Sequence, residues 1–376
     1  MIYLTYGEEP SGVYASQVMD VIQYLNSIGG KMRLVAFISL RDLKKNKEKI
    51  LRDLPDAMVL PMLPKAAYWK WNVITLFFVC LFKGERSIIA RNVIATNMAL
   101  RLSKFGLIKK VCFDGRGAIA AEWKEYDVQV HPQWKKSIVE MEHHAVMRSD
   151  FRIAVTNELV NYWKKDFGYK KNDHVIIPCT VNTRFTLNEN VSQDITKKKS
   201  ELNISEKDIV FVYSGSTAGW QSFAAVDSFI TPLLKKSKKY KIIFLAQKDA
   251  NIDQLKKQFP GQVIQQWVSH NEVQKTLAAC DYGILIREQT ITNKVAAPTK
   301  FAEYLSAGLP VIISPNLGDY SDFVEKNQCG FVANGRVGSI DKPEETKKQR
   351  MKELVLKCFT KEAFKEQYRE LLKAMS

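Results

Sequence analysis

Pro298-Thr299-Lys300-Phe301-Ala302-Glu303-Tyr304-Leu305-Ser306-Ala307-Gly308-Leu309-Pro310-Val311-Ile312-Ile313-Ser314 reads as a short one-sided helix that ends in glycine and runs into a buried strand. Pro298 suits the first helical turn, where a missing N–H costs nothing, and Gly308 suits the left-handed position that closes a helix. Phe301, Tyr304 and Leu305 share the packed face by their spacing, while Lys300 and Glu303 share another. The helix N-terminus at Pro298 and Thr299, with the charge of Lys300 added, is a site for phosphate. One turn deeper, the Glu303 carboxylate is placed to accept hydrogen bonds from the vicinal hydroxyls of a ribose. Read alone, the helix is more simply a Lys–Glu surface pair beside a strand. The surrounding order of elements decides between the two.

Upstream lie a basic amphiphilic helix (Asn271 to Cys280), the run Asp281-Tyr282-Gly283-Ile284-Leu285-Ile286-Arg287-Glu288 and a polar loop to Ala297. Downstream come Asn316-Leu317-Gly318-Asp319-Tyr320 and Cys329-Gly330-Phe331-Val332. This order resembles the donor-binding half of the retaining glycosyltransferases of family four, which have the GT-B architecture. In the first half, Phe113-Asp114-Gly115-Arg116-Gly117 followed by Glu122 resembles that family's Asp-x-Arg-Gly segment. Val155-Thr156-Asn157-Glu158-Leu159 and the stretch from Ile176 to Phe185 resemble its last strands before the interdomain linker.

The resemblance implies a donor-nucleotide role for Gly12, Ser214, Gly215, Ser216, Thr217, Pro298, Thr299 and Glu303. It implies catalytic roles for Asp114, Arg116, Arg287 and Lys300. Glu122, Glu288 and His143 are candidates for the donor sugar or the acceptor. The chain departs from the family twice. Trp220-Gln221 stands where a basic residue usually pairs the diphosphate, so Arg287 and Lys300 are expected to supply the charge. The family's earlier glutamate, two turns before Glu303, is Val295 here, and Glu288 is the candidate stand-in. Asp114 and Arg116 are read nearly as well as a structural pair closing their loop.

Composition agrees with an ordinary globular enzyme. A chain of 376 residues suits two domains, with 46% hydrophobic and 26% charged residues. The cysteines at 80, 112, 179, 280, 329 and 358 are scattered, without a Cys-x-x-Cys pair, and read as reduced core residues of a cytoplasmic protein. No secretory signal is recognised at Met1-Ile2-Tyr3-Leu4-Thr5-Tyr6. Five histidines, His131, His143 and His144 among them, show no ligand spacing, so no metal or other cofactor is expected. Net charge is +16, and residues 1–185 hold +10 of it. No nucleic-acid module accompanies this charge, so nucleic acid is not the expected partner.

An anionic membrane surface is, for a local reason. In residues 65–86 the apolar run from Val73 to Phe82 is too short to span a bilayer. Tyr68, Trp69 and Trp71, with Lys65, Lys70, Lys83 and Arg86, match an interfacial helix. A helix buried against a sheet fits the middle of the segment, and both readings can hold together.

Continuous apolar runs at 1–6, 32–38, 57–62, 87–90, 109–113, 151–155 and 174–178 predict a parallel sheet covered on both faces. A second series follows at 209–213, 241–246, 262–267, 282–286, 311–314 and 330–333. The expected fold is α/β, with two doubly wound Rossmann-like domains facing across a cleft. The domains are 1–185 on the acceptor side, a polar linker over 186–207, and 208–360 for the nucleotide sugar. A last helix within 361–376 is expected to return to the first domain. The expected activity is metal-independent, retaining transfer from a nucleoside diphosphate sugar to a saccharide acceptor, most simply a lipid-linked one in polysaccharide assembly. The enzyme would lie peripherally on the inner face of the membrane. A sugar-nucleotide 2-epimerase of the same fold and a non-enzymatic nucleotide-sugar or polyanion-binding protein are the alternatives.

Overall fold

A computed structural model describes residues 1–126, 128, 132–181, 191–215, 222–334 and 338–376. The chain forms two compact units. The first comprises Met1–Thr180, Val295–Ala297 and Phe364–Ser376, and the second comprises Val181–Lys294 and Pro298–Ala363.

The first unit holds β1 (Ile2–Tyr6), β2 (Arg33–Ile38), β3 (Met58–Pro61), β4 (Ser87–Arg91), β5 (Lys110–Gly115), β6 (Phe151–Ala154) and β7 (His174–Ile176). They form one parallel sheet in the order β3-β2-β1-β4-β5-β6-β7. Leu4, between Val35 and Ala90, shows why these strands read as unbroken apolar runs: helices cover both faces. The sequence order reverses between β1 and β4, which makes the carboxyl ends of these two strands a switch point. The helix Lys365–Met375 completes one face, with Tyr368, Leu371 and Met375 in the same buried cluster as Tyr3 and Ile153.

The second unit holds β8 (Ile209–Ser214), β9 (Tyr240–Leu245), β10 (Val263–Gln266), β11 (Tyr282–Leu285), β12 (Val311–Ile313) and β13 (Gly330–Val332). Its parallel sheet runs β10-β9-β8-β11-β12-β13, with the switch between β8 and β11. Strand limits fall within a residue or two of those expected. Within the segment expected as a polar linker, Val191–Glu201 is helical. Its three lysines and an acidic end give it the composition of a solvated helix, which polarity alone does not separate from a loop.

The aromatic–basic segment becomes a short 3-10 turn, Ala66–Tyr68, and a helix, Trp69–Lys83. One side, carrying Trp69, Asn72, Val73, Leu76, Val79 and Cys80, is buried. The other exposes Trp71 (64%), Ile74 (53%), Phe78 (48%), Leu81 (51%) and Phe82 (80%). Trp69 had been expected at the exposed end; it is buried beneath the Arg101 guanidinium, 5.1 Å from its ring centre. No helix among the described residues is long and apolar enough to cross a membrane.

Candidate functional site

In the second unit, the helix Thr299–Ser306 lies beside β11 and β12, and Phe301, Tyr304 and Leu305 are fully buried. Pro298 is the residue before the first turn rather than within it, with an extended ψ of 120°. Gly308 has φ +82°, the left-handed value expected of it. The Tyr304 hydroxyl accepts the Ser214 N–H at 2.9 Å and donates to the Ile284 carbonyl at 3.4 Å. This ties the helix to the ends of β8 and β11 together. Gly283 makes the approach possible, because a Cβ there would fall within the Tyr304 side chain.

Of the sequence candidates, the switch point therefore gathers Ser214, Arg287, Lys300 and Glu303. Ser214 ends β8, and the Gly215 N–H donates to the Leu245 carbonyl at 3.1 Å with φ +145°. Ser216 and Thr217, like Trp220, Gln221 and His131, lie outside the described residues. Arg287 follows β11 and is buried. Its backbone N–H donates to Ser314 Oγ at 2.8 Å, that hydroxyl donates back to the Arg287 carbonyl, and Nη1 reaches Asn293 Oδ1 at 3.4 Å. Lys300 is half-buried, with Nζ 5.5 Å from the Tyr213 ring centre. Burial, and secondly the Arg287 cation, push the Lys300 ammonium down to about 7, while the half-buried Glu303 opposes the shift. An anion seated between these cations would reverse that shift. Glu288 is exposed, with its backbone N–H donating to Ser222 Oγ at 2.9 Å.

In the first unit the arrangement differs from expectation. Asp114 was read as a carboxylate presented by a loop; it lies in β5 with no exposed surface. Tyr3 donates its hydroxyl to Asp114, Arg116 grips both carboxylate oxygens at 2.9 and 3.1 Å, and Arg91 Nη1 is 3.7 Å away. Within the unit, Asp114 thus holds Tyr3, Arg116 and Arg91 together. Arg91 Nε donates to both oxygens of Glu8 at 3.1 and 2.8 Å, and Asn92 Nδ2 adds a bond of 2.6 Å. Two arginines against two carboxylates leave this cluster neutral, which is what permits its burial. Glu8, Arg91 and Asn92 were missed by the sequence reading. They sit at the ends of β1 and β4, and only the strand order shows that these ends are adjacent.

Gly12 begins a short helix whose cap, Ser11 Oγ, accepts the Tyr14 N–H at 3.3 Å. Glu122 is half-buried on the helix Ile119–Glu125, and burial raises its carboxyl. A second acid, Glu142, also escaped the sequence reading. It is fully buried on the helix Pro132–Arg148, accepts the Ala120 N–H at 2.7 Å, and is pushed up to about 8 by burial. The neighbouring His143 is exposed, with its ring edge against Phe167, and does not join the Asp114 cluster.

Residues 229–361 match the family model described as glucosyltransferase 3-like, C-terminal domain, a span that includes Arg287, Lys300 and Glu303. No curated protein matches the chain significantly in sequence. Among solved structures, Anabaena HepE in complex with UDP and glucose is similar with a TM-score of 0.73 and 13% identity, over 99% of each chain. A glycosyltransferase from Rickettsia africae ESF-5 gives 0.70 and 12%, over 100% of this chain and 98% of that one. WaaG, a glycosyltransferase involved in lipopolysaccharide biosynthesis, gives 0.63 and 12%, over 99% and 95%. The chain has the GT-B glycosyltransferase fold, built of two Rossmann-like domains.

Proposed function

We propose that this protein is a retaining, metal-independent hexosyltransferase that moves a sugar from a nucleoside diphosphate sugar to a hydroxyl of a lipid-linked saccharide. The carrying observation is the Lys300–Arg287 pair at the β8/β11 switch point, beside the N-terminus of the helix Thr299–Ser306. The hard step is departure of the diphosphate, which gains negative charge as the sugar becomes oxocarbenium-like. The Arg287 guanidinium, the Lys300 ammonium that donor binding holds protonated, and a helix N-terminus stabilise that charge. They also do the work for which a metal would otherwise be needed. Glu303 holds the ribose hydroxyls, and Ser214 and Gly215 flank the phosphates. Glu288 is assigned to the donor sugar.

The UDP and glucose of HepE support a nucleotide-sugar donor, and the role of WaaG in lipopolysaccharide biosynthesis supports an acceptor in surface polysaccharide assembly. The exposed apolar side of the helix Trp69–Lys83, between Lys70 and Lys83, supports peripheral work on the inner face of the membrane. Thermal shifts against a panel of nucleoside diphosphates and their sugars, followed by nucleotide release from the one that stabilises, test the reading. The anomeric configuration of the product, read by NMR, tests retention. Absence of both stabilisation and release across the panel refutes the assignment.

A further inference from the structure

A groove of about 1050 Å³ opens in the first unit between the helices Trp69–Lys83, Asn92–Lys104 and Pro132–Arg148. Its volume is that of a site for a whole organic ligand rather than a bare ion. Its lining combines indoles and cations: Trp71 and Trp134 with Lys70, Arg101 and Lys104. Among the described residues, Glu140 is the one carboxylate that lines it. His144, also in the lining, is lowered by burial and by the Arg148 cation, so it adds no charge at neutral pH. The groove is therefore built for an anion.

Two connections set its place. At one end the 3-10 turn before Trp69 is tied to the carboxyl edge of the sheet. Tyr6, which ends β1, donates to the Ala66 carbonyl at 2.9 Å and accepts from Asn72 at 3.2 Å. The Trp134 indole donates to the Ala67 carbonyl at 3.1 Å and stacks on Trp123, next to Glu122. At the other end Trp71, part of the lining, belongs to the exposed apolar side of the Trp69–Lys83 helix, with Ile74, Phe78, Leu81 and Phe82. A soluble glycan or a nucleic acid has no use for that strip. A lipid has, and its headgroup would sit among the cations while its chain stayed in the bilayer.

We infer that this groove seats the phosphorylated headgroup of the membrane-embedded acceptor lipid and delivers it toward the carboxyl edge of the sheet, beyond which lie Glu8 and, on the helix after β5, Glu122. The inference rests on the lipid-linked acceptor proposed above. Its test uses the full chain and two sets of phosphatidylcholine vesicles. One set carries a polyprenyl phosphate, and the other is brought to the same surface charge with phosphatidylglycerol. The native chain partitions more strongly to the first. Lys70→Gln with Lys104→Gln, both on exposed side chains, lowers binding to the polyprenyl phosphate vesicles about tenfold and abolishes the preference. Ile74→Ser with Phe78→Ser weakens binding to both sets alike and keeps the preference. Equal partitioning of the native chain, or a preference that survives loss of the groove cations, overturns the assignment. Calorimetry with UDP separates this from the transferase reading. A headgroup preference without nucleotide binding overturns only the latter; nucleotide binding without the preference overturns only the groove.

Discussion

Lys300 sets a pH dependence for donor binding that follows from its surroundings. Its ammonium is pushed down to about 7 by burial and by Arg287. A diphosphate binds the charged form, so the proton must be present in the complex. Below the shifted value, affinity is at its full level; above it, each binding event must first take up a proton. For obligatory uptake the apparent Kd grows by one plus the ratio of neutral to charged lysine, which is about tenfold between pH 6 and pH 8. The proper titrant is a nucleoside diphosphate sugar, because both phosphates are esterified and its own charge stays constant over this range. Calorimetry at several pH values, in buffers of different ionisation enthalpy, reads both the affinity and the proton taken up. Lys300→Arg keeps a cation that does not titrate, and its profile should be flat. A flat profile in the native chain, or the same slope in the arginine variant, refutes the argument.

Glu303→Ala should weaken nucleoside diphosphate binding by about 1.5–3 kcal/mol through lost ribose hydrogen bonds, and an unchanged Kd removes Glu303 from that role. Glu142 is raised from 4.5 to about 8 in the folded chain, so its contribution is full at pH below 4.5 and is lost as pH rises through 8. Glu142→Gln should therefore flatten stability against pH, removing a change of roughly 3–4 kcal/mol in the unfolding free energy from urea titrations between pH 5 and pH 8. An equal slope in both proteins refutes it. Lys70→Glu with Lys83→Glu should lower sedimentation with anionic vesicles in a salt-dependent way, and recovery equal to that without vesicles makes the exposed helix face irrelevant to membranes. Gly283→Ala should cost about 1–3 kcal/mol in thermal unfolding, because the new methyl group displaces Tyr304. A melting temperature within error of the native chain would mean that the Tyr304 ring moves freely.

The strands were legible because parallel strands buried on both faces leave unbroken apolar runs, as in Ile209-Val210-Phe211-Val212-Tyr213. The helix after Pro298 was legible because its apolar spacing and its closing glycine agree. What joins distant parts of the chain was not. Nothing in the spacing of Glu8, Arg91 and Asp114 reveals that the ends of β1, β4 and β5 adjoin. Asp114 looked like a presented acid because an Asp-Gly-Arg-Gly loop has the chemistry for it; the strand extends two residues further than its apolar pattern and takes the carboxylate inside. Glu142 sits between Met141 and His143 in a helix whose other charges are solvated, and its burial depends on the packing of the neighbouring helix Ile119–Glu125. In the second unit, Lys300 and Glu303 could be paired by helical periodicity and Arg287 could be named for its charge after a strand, but how near Arg287 comes to Lys300 is seen only in the fold.

The helix Lys365–Met375 belongs to the first unit, although the whole of the second is made before it. During synthesis, then, the opening 180 residues leave the ribosome without the element that covers Tyr3, Ile153 and Val175. That apolar surface stays open while the second unit emerges and folds, and it closes only when Tyr368, Leu371 and Met375 arrive. The unit that is encoded first is thus the last to be completed.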